Sequence, residues 1–134
     1  MPDVNALAES HGDLLQQPLL ASFATRRPDG SLQVNPVWFD WDGSCIRLSL
    51  TTTRQKLRNL KGDPAVTLCI VDPELPFRYV ELRGVVSALE DDPDRAFVRY
   101  LAGRYLGAND VPQIAPNEQR VILSMTPSGG SARP

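Results

Sequence analysis

Three consecutive hydroxyl residues, Thr51-Thr52-Thr53, stand immediately ahead of Arg54-Gln55-Lys56-Leu57-Arg58-Asn59-Leu60-Lys61. A strand that runs through Ser49, Leu50 and Thr51 into the start of a cationic helix gathers several anion-binding groups in one place. Backbone N–H groups, the positive end of the helix dipole, threonine hydroxyls, Arg54 and Lys56 can all converge on one anion. That is the chemistry of a phosphate cradle. The segment also reads as a solvated helix face, because Arg54, Arg58 and Lys61 at i, i+4 and i+7 form one polar stripe. Spacing alone leaves both readings open. Lys56 and Asn59 fall off that stripe, beside Leu57 and Leu60, which must face inward. They therefore border the core, where a charge needs a partner. Only two of the 14 cations are lysines, and both, Lys56 and Lys61, lie in this segment.

Pro36 is the second feature with chemical content. A proline within a strand cannot donate to the ladder, so it marks an edge or a bulge and leaves polar backbone groups at Asn35 and Val37 available. A flat heterocycle could use them, with Trp38 or Phe39 nearby. The other candidates are weaker. His11, the only histidine, shares a stripe with Leu7, Leu14 and Leu15, which suits a packing or capping residue better than a catalyst. Cys45 and Cys69 lie 24 positions apart inside apolar runs and read as reduced core thiols, too few for a metal site or a disulfide framework. HExxH, CxxC, GxGxxG and Walker patterns do not occur, so no metal is expected and an enzyme of this sequence would depend on a bound cofactor for its chemistry.

Function classes can also be excluded from charge. Fourteen cations against 16 acids give a net charge of −2, which lacks the basic field of a nucleic-acid binder. No apolar run approaches the ~20 residues of a membrane span, and Met1-Pro2-Asp3-Val4-Asn5 has no secretory character. A cytoplasmic protein is expected.

The elements that must position these residues follow from period and turn chemistry. The 134 residues fit a single domain over 1–134. An amphipathic N-terminal helix is predicted over 4–17, ended by Pro18. A buried strand over 19–25 leads to the Pro28-Asp29-Gly30 turn, a strand over 31–41 to the Asp42-Gly43 turn, and a strand over 45–51 to the cationic helix. Three antiparallel strands on two tight turns are expected. Thr53 can cap the helix and Gly62 stop it. Strands follow over 65–71 and 77–89, the second interrupted at Gly84, where a bulge or barrel corner is expected. Asp92-Pro93-Asp94 starts a second helix that ends at Gly107. A polar loop through Pro112 and Pro116 precedes the last strand, 120–126, and the tail 127–134 is expected to be disordered. About six strands on short connections indicate a mainly β protein, a small antiparallel barrel with flanking short helices.

The order strand, Pro-Asp-Gly turn, strand with Asn35-Pro36-Val37-Trp38-Phe39, Asp-Gly turn, strand, then Arg54-x-Lys56-x-x-Asn59-Leu60 closed by Asp63-Pro64 resembles a known superfamily. It is that of the pyridoxamine 5′-phosphate oxidase-like split β-barrels, the FMN-binding split-barrel type, and within it the branch of F420-dependent enzymes. The resemblance covers residues 19–126. It implies a homodimer of split barrels with the cofactor in a groove between subunits, where a deazaflavin ring accepts or delivers hydride. By the same matching Arg54 and Lys56 bind the phosphate or acidic tail, with Asn59 as polar support. Ser49, Leu50 and Thr51 lie along the ring and ribityl chain, and Asn35, Pro36 and Val37 meet the ring edge. Phe77 and Tyr79 fall in the region that similar proteins supply from the partner subunit.

The first expected function is therefore an F420-dependent oxidoreductase acting on a small unsaturated or quinone-like compound. The second is an FMN-dependent pyridoxamine phosphate oxidase-like enzyme or flavin reductase, since the FMN phosphate would occupy the same cradle. Relatives that oxidise pyridoxamine phosphate are usually longer and carry C-terminal basic residues for the substrate phosphate, whereas this sequence ends in Ser128-Gly129-Gly130-Ser131-Ala132-Arg133-Pro134, so that reaction ranks below the deazaflavin reading. The third is a non-catalytic carrier of flavin, deazaflavin or haem. For haem, a single histidine argues against axial ligation.

Overall fold

Strand alternation decides which faces are buried. Ala21, Phe23 and Thr25 on one strand, Ile46, Leu48 and Leu50 on a second, and Val66, Leu68 and Ile70 on a third all point into one core, as a period of two requires. The computed structural model describes residues 3–107 and 118–134; the predicted loop through Pro112 and Pro116 lies outside them. The elements are α1 (Val4–Ser10), α2 (Gly12–Gln16), β1 (Ala21–Arg26), β2 (Leu32–Val37), β3 (Asp40–Trp41), β4 (Ile46–Thr51), α3 (Gln55–Gly62), β5 (Ala65–Val71), β6 (Tyr79–Asp91), α4 (Ala96–Leu106) and β7 (Arg120–Arg133). The strands form one sheet in the order β2-β1-β5-β6-β7-β4-β3, and every neighbouring pair is antiparallel. The protein is mainly β.

That order has a geometric consequence. β2 and β3 are the two edges of the sheet, yet only Trp38 and Phe39 separate them in sequence. Three peptide steps reach at most ~11 Å, whereas seven strands laid flat would place the edges ~29 Å apart at about 4.8 Å per strand. The sheet must roll until its edges approach, and the result is a barrel split along the β2/β3 seam. The expected single strand over 31–41 and the simple three-strand meander are corrected here. β2 pairs with β1, with Ser22 opposite Pro36, and β3 pairs with β4. Phe39 anchors the crossing, being wholly buried, and Pro36 sits on an edge strand, where its missing N–H costs little.

The two turns predicted from Asp-Gly pairs form, with Gly30 at φ 90° and Gly43 at φ 99°. The Gly84 irregularity is also present: the β6–β7 register shifts between Arg83 and Gly84 and again between Val86 and Ala88.

Other expectations need revision. The N-terminal helix is broken at His11 into α1 and α2. There Nδ1 lies 2.8 Å from the Ser10 hydroxyl and Nε2 lies 3.1 Å from the Arg133 carbonyl oxygen. Because a carbonyl only accepts, Nε2 is the donor to Arg133. The tail is not disordered, since β7 continues to Arg133, opposite Tyr79 on β6. Thr53 does not cap α3; the N-cap is Arg54, without a side-chain hydrogen bond, and Gly62 is the last helical residue. α4 begins at Ala96 rather than at Pro93, after Arg95 in the left-handed region at φ 57°. Asp92 still serves its start, accepting from the Phe97 and Val98 N–H groups at 3.1 and 3.4 Å. Both cysteines are free but partly exposed rather than in the core; Cys69 points outward because the inward positions of β5 belong to Leu68 and Ile70. Among the described residues no helix is long and apolar enough to cross a membrane.

Candidate functional site

At the split seam, where β4 hands over to α3, a cleft of about 250 Å³ opens between the barrel and α4. Its lining comes from five places in the chain: Pro36, Val37 and Trp38 at the end of β2, Ser49 and Leu50 on β4, Arg54 and Lys56 at the start of α3, Val98 and Leu101 on α4, and Arg120 opening β7. Each arrives there for a local reason. Trp38 is one of the two crossing residues and stacks flat on Tyr105, with ring centroids 5.0 Å apart and planes at 9°. Tyr105 is tied to the same crossing, accepting from the Phe39 N–H at 3.0 Å and donating to the Leu19 carbonyl at 2.6 Å. Val98 and Leu101 sit three apart on the inward face of α4, and both are buried.

The electrostatics of the cleft are unbalanced. Lys56 is only 5% exposed, and its Nζ donates to the Asn35 Oδ1 at 3.3 Å. Among the described residues no carboxylate lies within ion-pair distance of Lys56 or of Arg54. Burial, and secondarily the neighbouring Arg54 charge, push the Lys56 ammonium below the ordinary lysine range. Arg120 contributes a third cation; its guanidinium reaches Glu118 at 3.4 Å and the Ser49 hydroxyl at 3.5 Å, while its buried Nε has no hydrogen-bond partner among the described residues. Uncapped N–H groups of the first turn of α3 add to the same positive potential. A buried cation without a counter-ion is costly in isolation, so the arrangement suits an anion brought in from outside.

The sequence-predicted residues divide into three groups. Pro36, Val37, Ser49, Leu50, Arg54 and Lys56 all line the one cleft, and Asn35 touches it through Lys56. Thr51 and Asn59 do not line it. The Thr51 hydroxyl lies 3.4 Å from the Thr53 hydroxyl, and Asn59 is 1% exposed with its carboxamide taken up by Thr25, Gln33 and Gln55. Phe77 and Tyr79 lie apart from it, at the end of the 13-residue β6 opposite to the end that pairs beside Arg120. Phe77 is exposed.

Sequence reasoning missed Arg120, Val98 and Leu101 as lining residues. Arg120 had a signal, a cation directly ahead of the apolar run Val121-Ile122-Leu123. Val98 and Leu101 had none, because their roles depend on where α4 docks.

A family model described as pyridoxamine 5′-phosphate oxidase matches residues 7–133. Among solved structures, one described as an F420 reductase is 44% identical with a TM-score of 0.83, over 89% of this chain and 94% of that one. A conserved hypothetical protein from Mycobacterium tuberculosis is 22% identical with a TM-score of 0.74, over 92% and 82% of the two chains. The haem storage protein HutZ from Vibrio cholerae is 15% identical with a TM-score of 0.64, over 94% of each chain. At such low identities the last two share the fold.

Proposed function

The chain belongs to the pyridoxamine 5′-phosphate oxidase family, and from that premise we propose that it is an oxidoreductase that binds coenzyme F420 and passes hydride between it and a small unsaturated or quinone-like compound. The observation that carries this reading is the buried Lys56 ammonium, without a carboxylate partner among the described residues, in a cleft that also holds Arg54 and Arg120. The 44% identity to a structure described as an F420 reductase favours the deazaflavin over FMN.

The residues present fit such a group. Lys56 and Arg54 would hold its phosphate or acidic tail by charge-assisted hydrogen bonds, and Arg120, whose Nε has no hydrogen-bond partner among the described residues, would add a third positive charge. The bound coenzyme supplies the hydride chemistry. The protein supplies position and dryness: Trp38, braced by Tyr105, with Val98 and Leu101, gives apolar walls that exclude water from a planar ring.

Titration of the purified protein with F420 and, separately, with FMN, followed by fluorescence, tests the reading. Saturable F420 binding is expected, with FMN bound more weakly. A protein that is yellow as purified, or that binds FMN tightly and F420 not at all, would remove the deazaflavin assignment.

The cleft is also proposed to be completed by a second copy of the chain. Its volume within one chain falls below the ~300–1,000 Å³ typical of ligand sites, and the outward face of edge strand β2 is apolar, with Leu32 at 64% and Val34 at 59% exposure beside Pro36. Such a face marks an association surface. A dimer is expected in sedimentation equilibrium; Val34→Glu should shift it toward monomer and weaken F420 binding in parallel. A wild-type monomer that binds F420 at full strength would overturn the shared site.

A further inference from the structure

Behind the cleft, four side-chain carboxamides form one line, with a side branch from Asn59 to Thr25. Arg58 donates to the Gln55 Oε1 from Nε at 3.2 Å and from Nη2 at 2.8 Å. Gln55 Nε2 donates to Asn59 Oδ1 at 2.8 Å. Asn59 Nδ2 donates to Gln33 Oε1 at 3.1 Å and to the Thr25 hydroxyl at 2.9 Å. Gln33 Nε2 then donates to Asn35 Oδ1 at 2.8 Å, the same oxygen that accepts from Lys56 Nζ at 3.3 Å.

The direction of this line is dictated by its ends. A guanidinium only donates, so Gln55 must turn its oxygen toward Arg58 and its nitrogen toward Asn59. Each following carboxamide inherits that choice. The last one, Asn35, is left with its oxygen toward Gln33 and Lys56, which is the orientation an ammonium requires, since Lys56 also only donates. Two cations in α3, one exposed and one buried, thus agree on the polarity of everything between them.

A carboxylate in place of Asn35 would hold Lys56 more tightly, but it would cancel its charge. A neutral oxygen aims the ammonium and leaves that charge for a ligand. We propose that the relay Gln55–Asn59–Gln33–Asn35 is a positioning system for Lys56, and that Gln33, which fixes the Asn35 amide, is a positioning residue for recognition of a phosphate-bearing ligand. The proposal rests on the anion-binding reading of the cleft.

The test uses the full-length protein and two probes: F420, and the same deazaflavin ring and ribityl chain without the phosphate and tail. Gln33→Met keeps the length of the side chain and removes both hydrogen bonds; Gln33→Glu keeps the acceptor for Asn59 and removes the donor to Asn35. Both variants are expected to bind F420 about tenfold more weakly and to bind the phosphate-free ring as the wild type does. Equal losses for both probes would mean a merely structural role and would overturn the proposal, as would no loss for either. Should one variant fail to fold, the other carries the same comparison. The underlying reading fails in a different way: wild-type protein that does not distinguish F420 from the phosphate-free ring has no functioning anion site, and the relay then has no ligand charge to serve. Wild-type protein that takes FMN instead keeps the anion site, and the comparison is then made with FMN and riboflavin.

Discussion

Lys56→Met is expected to weaken F420 binding by about 10- to 100-fold, the range for losing a charged hydrogen bond of roughly 1.5–3 kcal/mol, while raising the melting temperature of the ligand-free protein. The two effects have one origin. Burial first, and the Arg54 charge second, hold Lys56 below the ordinary lysine range, so the folded chain binds its proton less readily than the unfolded chain does. Between the depressed folded value and the ordinary one the unfolded state carries more protons, and stability therefore rises with pH across that window. Below the window both states are charged and the full penalty is present. Methionine removes the penalty at neutral pH, and its advantage over lysine shrinks as pH rises through the window. An anion reverses the balance by preferring the charged ammonium, so F420 affinity should fall as pH climbs past the Lys56 value of the free protein. Calorimetric melting with and without F420, together with titrations across alkaline pH, checks both halves. A variant with lower stability and undiminished affinity would make this lysine an ordinary structural residue.

Gly130→Ala is expected to cost about 3 kcal/mol, at the upper end of overpacking effects, and to lower the melting temperature by ~10 °C for a chain of this size. A Cβ on Gly130 would overlap the backbone carbonyl oxygen of Glu81 on β6. That oxygen belongs to the paired strand, with Glu81 opposite Ser131 and Leu82 opposite Gly130, so it cannot retreat without opening the ladder. The Leu7 side chain of α1 closes in from another side, 3.1 Å from the same point. Urea denaturation measures the loss; a stability equal to wild type would mean that β7 is displaced in solution. Because the site is built at the far end of β7, around Arg120, the folded fraction of the variant should keep its F420 affinity.

That glycine also illustrates a limit of reading composition. Pro127-Ser128-Gly129-Gly130-Ser131 has the makeup of a linker, yet its lack of side chains is what lets β7 press against β6 and lie beneath α1. Small residues mean freedom in an isolated chain and close approach in a packed one, and only the neighbours distinguish the two. The same applies at the N-terminus: the apolar period of Leu7, Leu14 and Leu15 is real and all three are buried, but the helix breaks at His11, whose ring meets the Arg133 carbonyl of a strand more than a hundred residues away.

The site was legible in part. Arg54, Lys56 and the Ser49–Leu50 strand, which line the cleft, were legible because strand, helix start and cations lie within a few residues of one another. Pro36 pointed to an edge because proline alters the ladder wherever it stands. Asn59, picked out beside Lys56, turns out to belong to the relay behind the cleft, and Gln33 carries no mark that separates it from any other strand glutamine. Its meaning comes from being opposite Thr25 in the β1–β2 register and within reach of α3.

Turn positions, the two hairpin glycines, the cationic segment and the dominance of β structure were determined by the sequence alone, because each depends on the dihedral preferences or side-chain period of a few adjacent residues. Tertiary structure decided that β2 and β3 become opposite edges of one sheet, that the sheet rolls shut across Trp38 and Phe39, and that Arg120 and α4 arrive at the resulting seam. Those outcomes follow from burying every strand's apolar face at once, a condition on the whole chain that no short segment expresses.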